Sequence, residues 1–477
     1  MMNRVDVQDT KIVATIGPSS DSYEALLGLV REGVDVFRLN FSHGTHEQHL
    51  EVINKIKYIN EKYRIHIGIL ADLQGPKLRV GRIKENTVLE EGDIIEFTNE
   101  DHEGDKASAY MNYKDFPKDV SPGEMVLVDD GKIQLEVLET DKTSRVKLKT
   151  LFGGPLRSNK GVNLPQTKVS LPSLTPKDVN DLNFILTQPV NWIALSFVRS
   201  AQDIIDLQTR IDAAEHPAKT IAKIEKPEAI DDIDEIIKYS NAIMIARGDL
   251  GIEVPIEKLP PMQKDIIKRC LARARPVIVA TQMMESMITN PSPTRAEVTD
   301  VANAVLDGAD AVMLSGETAV GRHPELVVQA MNKIIAEAED HYEMRNMHHS
   351  TSTKSTTFYS DILCFNSAEV SANIGAKAII GMTASGYTAF KISSCRPKSK
   401  IYIFSESREI LSTLNLVWGV RCFYYGKLTT TDETIEDVNN ILKNKGLVEP
   451  GDMVVNTGSM PIQSRSRTNM LKLTRIE

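Results

Sequence analysis

Short apolar runs rich in β-branched residues alternate with helical patterns over the first part of the chain. From Lys11 to Asp72 the strand-like runs are KIVAT, VDVFRLN and IHIGILAD, and the stretches between them have helical periodicity. This alternation predicts parallel strands joined by crossover helices. From about residue 80 to 170 the pattern changes to strand-like runs with turn residues at the roughly 8–12-residue spacing of all-β folds. This segment is predicted to be a small inserted all-β domain.

Helical patterns resume at Thr175, where TPKD offers a capping threonine, a proline at the first helical position and Asp178 three residues after the cap. Five more strand candidates follow, each with a helical stretch behind it: WIALSF, TIAKI, AIMIA, PVIVA and AVMLS. With the first three they make eight βα units, which predicts an α/β fold of the (β/α)8 TIM barrel type. The active site would lie at the carboxyl ends of the strands.

A polar stretch near residue 346, MRNMHHSTSTKSTT, is predicted to be a linker. Beyond it, AIIGMT, KIYIF, RCFYY and DMVVNT alternate with helical patterns, which predicts a separate, smaller α/β domain. We therefore predict a barrel domain A of residues 1–75 and 171–345, an inserted all-β cap domain B of residues 76–170, and a C-terminal α/β domain C of residues 346–477.

Nearly every predicted barrel strand ends in a charged or polar residue. One such residue would be an ordinary polar strand end, but their joint presence predicts a charged pocket at the barrel mouth. These strand-end residues are Arg38, Asn40, Ser42, Asp72, Ser196, Lys223, Glu225, Arg247, Asp249, Thr281, Ser315 and Glu317.

Two of these groups are carboxylates on adjacent strands, Glu225 and Asp249. Few protein carboxylates, completed by substrate oxygens and water, are the usual environment of Mg²⁺. Lys223 and Arg38 add positive charge beside them. A metal ion, an ammonium and a guanidinium around one pocket are suited to phosphoryl transfer, which depends on electrostatics and positioning.

Composition narrows the function further. The chain has 477 residues and a formal net charge of −9, which argues against broad nucleic-acid binding. Four well-separated cysteines without a CxxC pair favour reduced thiols. The sequence has neither a leader-like apolar segment nor a run of the ~20 apolar residues that span a membrane, so we expect a cytoplasmic protein without membrane contact.

Three local patterns carry little weight. Asn40-Phe41-Ser42 is formally a glycosylation sequon, but it lies at a strand end in a chain that we expect to stay in the cytoplasm. His46 and His49 do not form an HExxH pattern and are predicted to be exposed helix residues. No Walker A motif is present, so a nucleotide would bind without a P-loop.

Several long segments resemble motifs of the pyruvate kinase family. They are KIVATIGPSS, VFRLNFSHG, NKGVNLP, TIAKIEKPEAI, IMIARGDLGIEV and VIVATQMMESMITNPSPTRAEVTDVANAVLDGADAVMLSGETAVG. The resemblance covers the barrel, both ends of the insertion and, more weakly, the C-terminal domain. It implies transfer of a phosphoryl group from phosphoenolpyruvate to ADP, giving pyruvate and ATP as the final step of glycolysis, in a homotetramer.

The resemblance also implies roles for individual residues. Glu225 and Asp249 would hold Mg²⁺, Lys223 would contact the transferring phosphoryl group and stabilise the enolate, and Arg38 would hold the phosphate. Gly248 and Asp249 amides, with the Thr281 hydroxyl, would bind the substrate carboxylate. The nucleotide would be contacted by Asn40, His43, Arg79 and Lys160. Thr281 and Ser315 would lie near the proton relay, with the donor itself left open.

The third-strand motif departs from the commoner form of the family. Many members have Asp-Thr-Lys-Gly-Pro-Glu there, with K⁺ bound at the positions of Asn40, Ser42, Asp72 and Leu73. This chain has Asp72-Leu73-Gln74-Gly75-Pro76-Lys77, the form of a potassium-independent branch. The Lys77 ammonium could supply the positive charge of that ion, so K⁺ would not be required. A surface lysine without this role is the alternative.

The role of the C-terminal domain stays open at this point. MTASGYTAFKIS resembles a phosphate-binding strand, turn and helix, and Arg465 and Arg467 in the final loop could bind an anionic effector. A purely structural subunit-contact domain is the other interpretation.

Two other functions agree less well with the sequence. A dikinase module would need a phosphohistidine domain, and the sequence shows none. A catalytically dead relative predicts loss of Lys223, Glu225, Asp249 or Thr281, and all four are present.

Overall fold

The first part of the chain forms three parallel strands separated by two helices. A computed structural model describes residues 8–341, 355–427, 430–460 and 466–477. The elements before the insertion are β1 (Lys11–Thr15), α1 (Tyr23–Arg31), β2 (Val36–Asn40), α2 (His46–Tyr63) and β3 (Gly68–Asp72). Helix α2 begins with a capping box in which Thr45 and Gln48 satisfy each other's backbone amides. This cap fixes the end of the loop between β2 and α2.

The inserted segment is almost entirely β structure. Its elements are β4 (Val88–Leu89), β5 (Ile94–Thr98), β6 (Ser108–Tyr110), α3 (Phe116–Asp119), β7 (Met125–Val128), β8 (Ile133–Thr140), β9 (Arg145–Phe152), β10 (Gly154–Pro155) and β11 (Val162–Asn163). Six strands form one sheet in the order β11-β7-β8-β9-β5-β6, and β10 pairs with β4. The alternating burial along β8 and β9 packs one face onto a separate apolar core. The all-β prediction for this segment is confirmed.

After the insertion the chain returns to the first sheet and adds five strands. The elements are α4 (Pro176–Ile185), β12 (Trp192–Leu195), α5 (Ala201–Ala213), β13 (Lys219–Ile224), α6 (Pro227–Asp231), α7 (Ile233–Tyr239), β14 (Ala242–Ala246), α8 (Arg247–Glu253), α9 (Leu259–Ala272), β15 (Val277–Ala280), α10 (Arg295–Leu306), β16 (Ala311–Leu314), α11 (Gly316–Ala319) and α12 (Pro324–Asp340). Short 3₁₀ helices lie at Ile256–Lys258 and Glu285–Ile288.

Eight parallel strands close into a barrel in the order β1-β16-β15-β14-β13-β12-β3-β2. All eight are the strands predicted from the sequence, so the TIM-barrel prediction is confirmed. The strands are buried on both faces. One face packs inside the barrel and the other packs under the surrounding helices, which explains why these strands are continuous apolar runs.

The C-terminal part of the chain forms a second α/β unit. Its elements are α13 (Phe358–Asn373), β17 (Ala378–Met382), α14 (Tyr387–Ser394), β18 (Lys400–Ser405), α15 (Arg408–Leu414), β19 (Val420–Tyr424), α16 (Thr431–Asn444), β20 (Met453–Gly458) and β21 (Met470–Arg475). The sheet order is β19-β18-β17-β20-β21, with only β21 antiparallel to its neighbour. Most of the predicted linker lies outside the described residues. The exact domain boundaries stay a prediction.

A buried ion pair joins this unit to the barrel. The Arg396 guanidinium lies 3.0 Å from the Asp310 carboxylate, and both side chains are almost fully buried. Asp310 also accepts hydrogen bonds from the backbone amides of Val277 and Trp418. Breaking such a pair leaves an uncompensated buried charge, so this junction is fixed. No helix among the described residues is both long and apolar enough to cross a membrane.

Candidate active site

A salt bridge at the carboxyl ends of β2 and β3 fixes the first cation of the site. Arg38 Nε donates to Asp72 Oδ2 at 2.7 Å, and Arg38 Nη1 donates to Thr15 Oγ1 at 2.9 Å. These bonds use two of the five N–H donors of a guanidinium, so others remain available to a ligand. Thr15 ends β1 and was missed in the sequence analysis, although the strand-end rule applies to it as well.

The Lys223 ammonium lies between two buried carboxylates. Its Nζ is 3.3 Å from Asp72 Oδ1 and 3.0 Å from Glu225 Oε1, and it donates to Ser196 Oγ at 2.7 Å. Burial lowers the pKa of Lys223, but the charges of Asp72 and Glu225 outweigh burial and hold the pKa above its ordinary value. Lys223 is therefore a permanent cation at this position.

The two carboxylates beside Lys223 differ in their electrostatic balance. Burial raises the pKa of Asp72, yet Lys223 and Arg38 together hold that pKa below its ordinary value. Burial raises the pKa of Glu225 above its ordinary value, and the nearby Asp249 charge adds to this effect. Glu225 accepts from the Phe197 amide at 2.8 Å and is almost fully buried. On this side of the site one cation, Lys223, therefore lies near two carboxylates, Glu225 and Asp249.

Two of the barrel strand ends have strained backbone. Phe197, Thr281 and Gln282 have φ values of 54°, 69° and 56°, in the left-handed region that non-glycine residues rarely adopt. The Thr281 hydroxyl accepts from the Gly248 amide at 2.7 Å. The Gly248 amide is predicted to bind the substrate carboxylate together with the Thr281 hydroxyl. In this structure the amide donates its hydrogen bond to that hydroxyl instead. Thr281 and Gly248 are confirmed as neighbours, while their role stays a prediction.

Arg247, the first residue of α8, bonds to groups around Thr281. It forms an ion pair with Asp300 at 2.7 Å and donates to the Thr281 carbonyl at 2.9 Å. It therefore supports the strained turn at Thr281.

Ser315 and Glu317 close the last strand end. Glu317 accepts from the backbone amides of Ser315 at 2.6 Å and Met284 at 3.2 Å, and burial raises its pKa. The Ser315 hydroxyl is buried and has no hydrogen-bond partner among the described residues. It remains available to a ligand or a water molecule.

The residues predicted to contact the nucleotide lie on the barrel rim and the inserted domain. Asn40 Oδ1 accepts from the Ser42 amide at 3.1 Å, which shapes the loop before exposed His43. Burial lowers the pKa of His43, with Arg79 and Lys77 contributing through their charges, so these cations lie near it. Lys160 is instead paired with Asp129 at 2.9 Å on the inserted domain. A ligand would have to compete with Asp129 for that ammonium.

His46 and His49 are not simply exposed, and that prediction was wrong. His46 Nε2 is 2.8 Å from Asp181 Oδ1, and its ring stacks on Phe184 at 4.4 Å. His49 stacks on Phe41 at 4.2 Å between ring centroids. Both rings cover apolar surface beneath the β2–α2 loop, which one-dimensional helix spacing does not reveal.

Lys77 borders the cleft between the inserted domain and the barrel. This cleft has about 560 Å³ of empty space, open solvent included, and its lining includes Lys77, Asp130, Asn163, Asp249 and Glu253. Among the described residues, the Lys77 ammonium has neither an ion pair nor a side-chain hydrogen bond. Leu73 is buried, and its carbonyl accepts from Ser196 Oγ at 2.7 Å.

Family models identify both parts of the chain. Residues 7–328 match the pyruvate kinase barrel domain, and residues 361–474 match the pyruvate kinase alpha/beta domain. The chain belongs to the pyruvate kinase family. A pyruvate kinase from Corynebacterium efficiens is 41% identical over 97% of this chain and 96% of its own length. One from Mycobacterium intracellulare is 40% identical over 98% of both chains.

A solved structure of a pyruvate kinase from Cryptosporidium parvum superposes on nearly all of this chain. The TM-score is 0.93 at 34% sequence identity, covering 98% of this chain and 96% of that structure. The family resemblance inferred from the motifs is confirmed. It extends to the C-terminal unit, where the motif signal was weaker.

The depressed pKa of Asp72 predicts a pH-dependent contribution to stability. Its stabilising effect should be complete above the ordinary carboxyl pKa of about 3.9 and be lost as the pH falls through the lowered folded-state value. Asp72→Asn should therefore lower the Tm at pH 7, and its difference from the wild type should shrink in acid. Melting curves from pH 7 to 2, with closely spaced points below pH 4, test this, with exposed Asp101→Asn as control. A Tm difference that does not change with pH would contradict the assignment.

Proposed function

We propose that the chain catalyses transfer of the phosphoryl group of phosphoenolpyruvate to ADP. The bond from the enol oxygen to phosphorus breaks, a bond from phosphorus to a β-phosphate oxygen of ADP forms, and the enolate left behind takes a proton at carbon to give pyruvate. The observation that carries this proposal is the set of Arg38, Lys223 and Glu225, all buried at the barrel mouth, with half-buried Asp249 beside them. Family membership supports the same reaction.

Arg38 and Lys223 would handle the charge of the phosphoryl group. Asp72 holds both cations, at 2.7 Å and 3.3 Å, so they need little reorganisation when substrate arrives. Arg38 would bind phosphate oxygens through its remaining N–H groups. Lys223 would stabilise the charge that develops on the transferring group and on the enolate oxygen.

Glu225 and Asp249 fit a divalent cation. Burial and mutual repulsion disfavour their combined negative charge, and a cation would relieve both effects. Their oxygen donors suit Mg²⁺ completed by water and substrate. When bound, Mg²⁺ would neutralise charge on the phosphoryl oxygens. The Thr281 hydroxyl and the amides of Gly248 and Asp249 would bind the substrate carboxylate after the Gly248–Thr281 hydrogen bond rearranges.

The nucleotide would lie between the β2–α2 loop and the inserted cap. Asn40 and His43 would contact it from the barrel, and Arg79 and Lys160 from the cap. The Lys77 ammonium would supply the charge of the monovalent ion, which Asn40, Ser42, Asp72 and Leu73 bind in the potassium-dependent type. Its unpaired state among the described residues supports this role.

Other features remain predictions. They are the cytoplasmic location, the homotetramer and an anionic effector in the C-terminal unit. Arg467 donates to the Thr356 carbonyl, and Arg465 lies outside the described residues.

The direct test is pyruvate formation from phosphoenolpyruvate and ADP, measured with a lactate dehydrogenase assay in the presence of Mg²⁺. One ATP should form for each pyruvate. Pyruvate released without ATP would indicate hydrolysis rather than transfer. The absence of both products would contradict the proposal.

Lys223→Met should lower kcat by about 10³-fold or more, because the lost ammonium acts on charge that develops in the transition state. Lys219→Met is a matched control, because Lys219 begins the same strand at the opposite end of the barrel. Circular dichroism should show that both variants are folded. A Lys223→Met kcat within tenfold of the wild-type value would show that the assigned role is wrong.

Glu225→Gln and Asp249→Asn should each raise the Mg²⁺ concentration needed for half-maximal activity, because each removes one of few anionic ligands. Activity is titrated with MgCl₂ at constant ionic strength. Exposed Asp231→Asn controls for the general loss of a carboxylate near the site. Unchanged titrations for both variants would eliminate the metal assignment.

The wild-type protein should reach nearly full rate without K⁺ or Na⁺, because the Lys77 ammonium already charges the pocket. Activity is compared in tetramethylammonium buffer with and without added KCl. Lys77→Glu should lose activity without K⁺ and regain part of it when K⁺ is added. Recovery should be incomplete because Leu73 and Gln74 also differ from the potassium type. Strong activation of the wild type by K⁺ would show that the Lys77 ammonium does not replace the monovalent ion.

A further inference from the structure

A single buried carboxylate joins the cap to the barrel inside the active-site cleft. Glu253 is the last residue of α8, and only 5% of its surface is exposed. Its Oε1 accepts from Lys226 Nζ at 2.6 Å and from Asn163 Nδ2 at 2.9 Å. Its Oε2 is buried and has no partner among the described residues. A half-satisfied buried carboxylate costs stability, so packing alone does not account for it.

The three residues come from separate segments that each lead to the site. Lys226 directly follows Glu225. Glu253 lies four residues after Asp249 on the same helix, about 6 Å along its axis. The Lys226–Glu253 pair therefore ties together the two segments that carry the proposed metal ligands.

Asn163 brings the cap into the same contact. It lies on β11, the last strand of the cap, three residues after Lys160. Gly161, just before this strand, forms a backbone bridge with Arg79. Both cap cations proposed to bind the nucleotide are thus fixed to the strand that Asn163 attaches to Glu253.

Other contacts attach the connecting segments rather than the cap sheet. Arg199 donates to the carbonyls of Val169 and Leu171, beyond the last cap strand. Asp178 accepts from the Gly75 amide, before the first cap strand. These contacts hold the two connections of the cap in place without the help of Asn163. Loss of the Asn163–Glu253 bond should therefore change the position of the cap without unfolding it.

We propose that Glu253 is a positioning residue that sets the cap strand β11 against the two metal-ligand segments. Through Asn163 it places Arg79 and Lys160 over the barrel mouth, and through Lys226 it keeps the Glu225 and Asp249 segments together. This inference rests on the proposed function. It adds a residue that touches neither substrate nor metal but determines how well ADP binds.

The first test separates the cap contact from the metal site. Asn163→Ala removes the hydrogen bond between the cap and Glu253 and leaves the Lys226–Glu253 ion pair intact. The KM for ADP should therefore rise by about tenfold, the size expected for one hydrogen bond to a charged group. The KM for phosphoenolpyruvate and the Mg²⁺ activation curve should change much less. Hydrogen exchange at residues 160–163 of the free protein should become faster. A rise in the KM for phosphoenolpyruvate equal to that for ADP would overturn the proposal.

The second test exchanges donor and acceptor. Asn163→Asp alone places two carboxylates together, and the KM for ADP should rise by more than in Asn163→Ala. Adding Glu253→Gln restores an amide-to-carboxylate bond and keeps a negative partner for Lys226, so the double variant should recover most of the ADP affinity. Glu257→Gln is the control, because this exposed residue lies four positions further along the chain.

The outcomes distinguish this inference from the proposed function. An inactive wild type would refute the proposed function itself. An active wild type, with an unchanged KM for ADP in Asn163→Ala or without recovery in the double variant, would overturn the role of Glu253 alone.

Discussion

The placement of the Lys223 ammonium between two buried carboxylates is the interaction on which the rest of the site depends. Asp72, Glu225 and Asp249 bring three negative charges to the barrel mouth, against two positive charges from Arg38 and Lys223. Arg38 and Lys223 compensate Asp72, whose pKa is lowered, while the pKa of Glu225 is raised by burial. This balance is the basis on which we propose that the site binds a divalent cation and a phosphorylated ligand.

The barrel makes this concentration of charge tolerable. Its strands are buried on both faces, so the backbone that carries each charged residue is held by ladder hydrogen bonds and apolar packing. The strained residues Phe197 and Thr281 lie just beyond the ends of barrel strands, where that rigid frame supports them. The inserted cap borders the same cleft and limits the access of water, which would weaken the electrostatic interactions of these charged groups.

The barrel strands could be predicted from the sequence because short apolar runs that end in polar residues recur between helical stretches. Side-chain contacts between elements that are far apart in the sequence were not predictable in this way. His46 stacks on Phe184 from a distant helix, and Asn163 reaches Glu253 across 90 residues. Their partners are set by the closed barrel and the position of the cap. Thr15 is a different case, because the strand-end rule would have found it.

We propose that Glu225 and Asp249 together form the site of a divalent cation. Binding of Mn²⁺ to the wild-type protein without substrates, measured from the loss of the free-ion electron paramagnetic resonance signal, tests it most directly. We expect one saturable Mn²⁺ site per chain, from which Mg²⁺ displaces the Mn²⁺ and which the combined Glu225→Gln and Asp249→Asn variant lacks. A free Mn²⁺ signal equal to the total added, at every concentration, would contradict it.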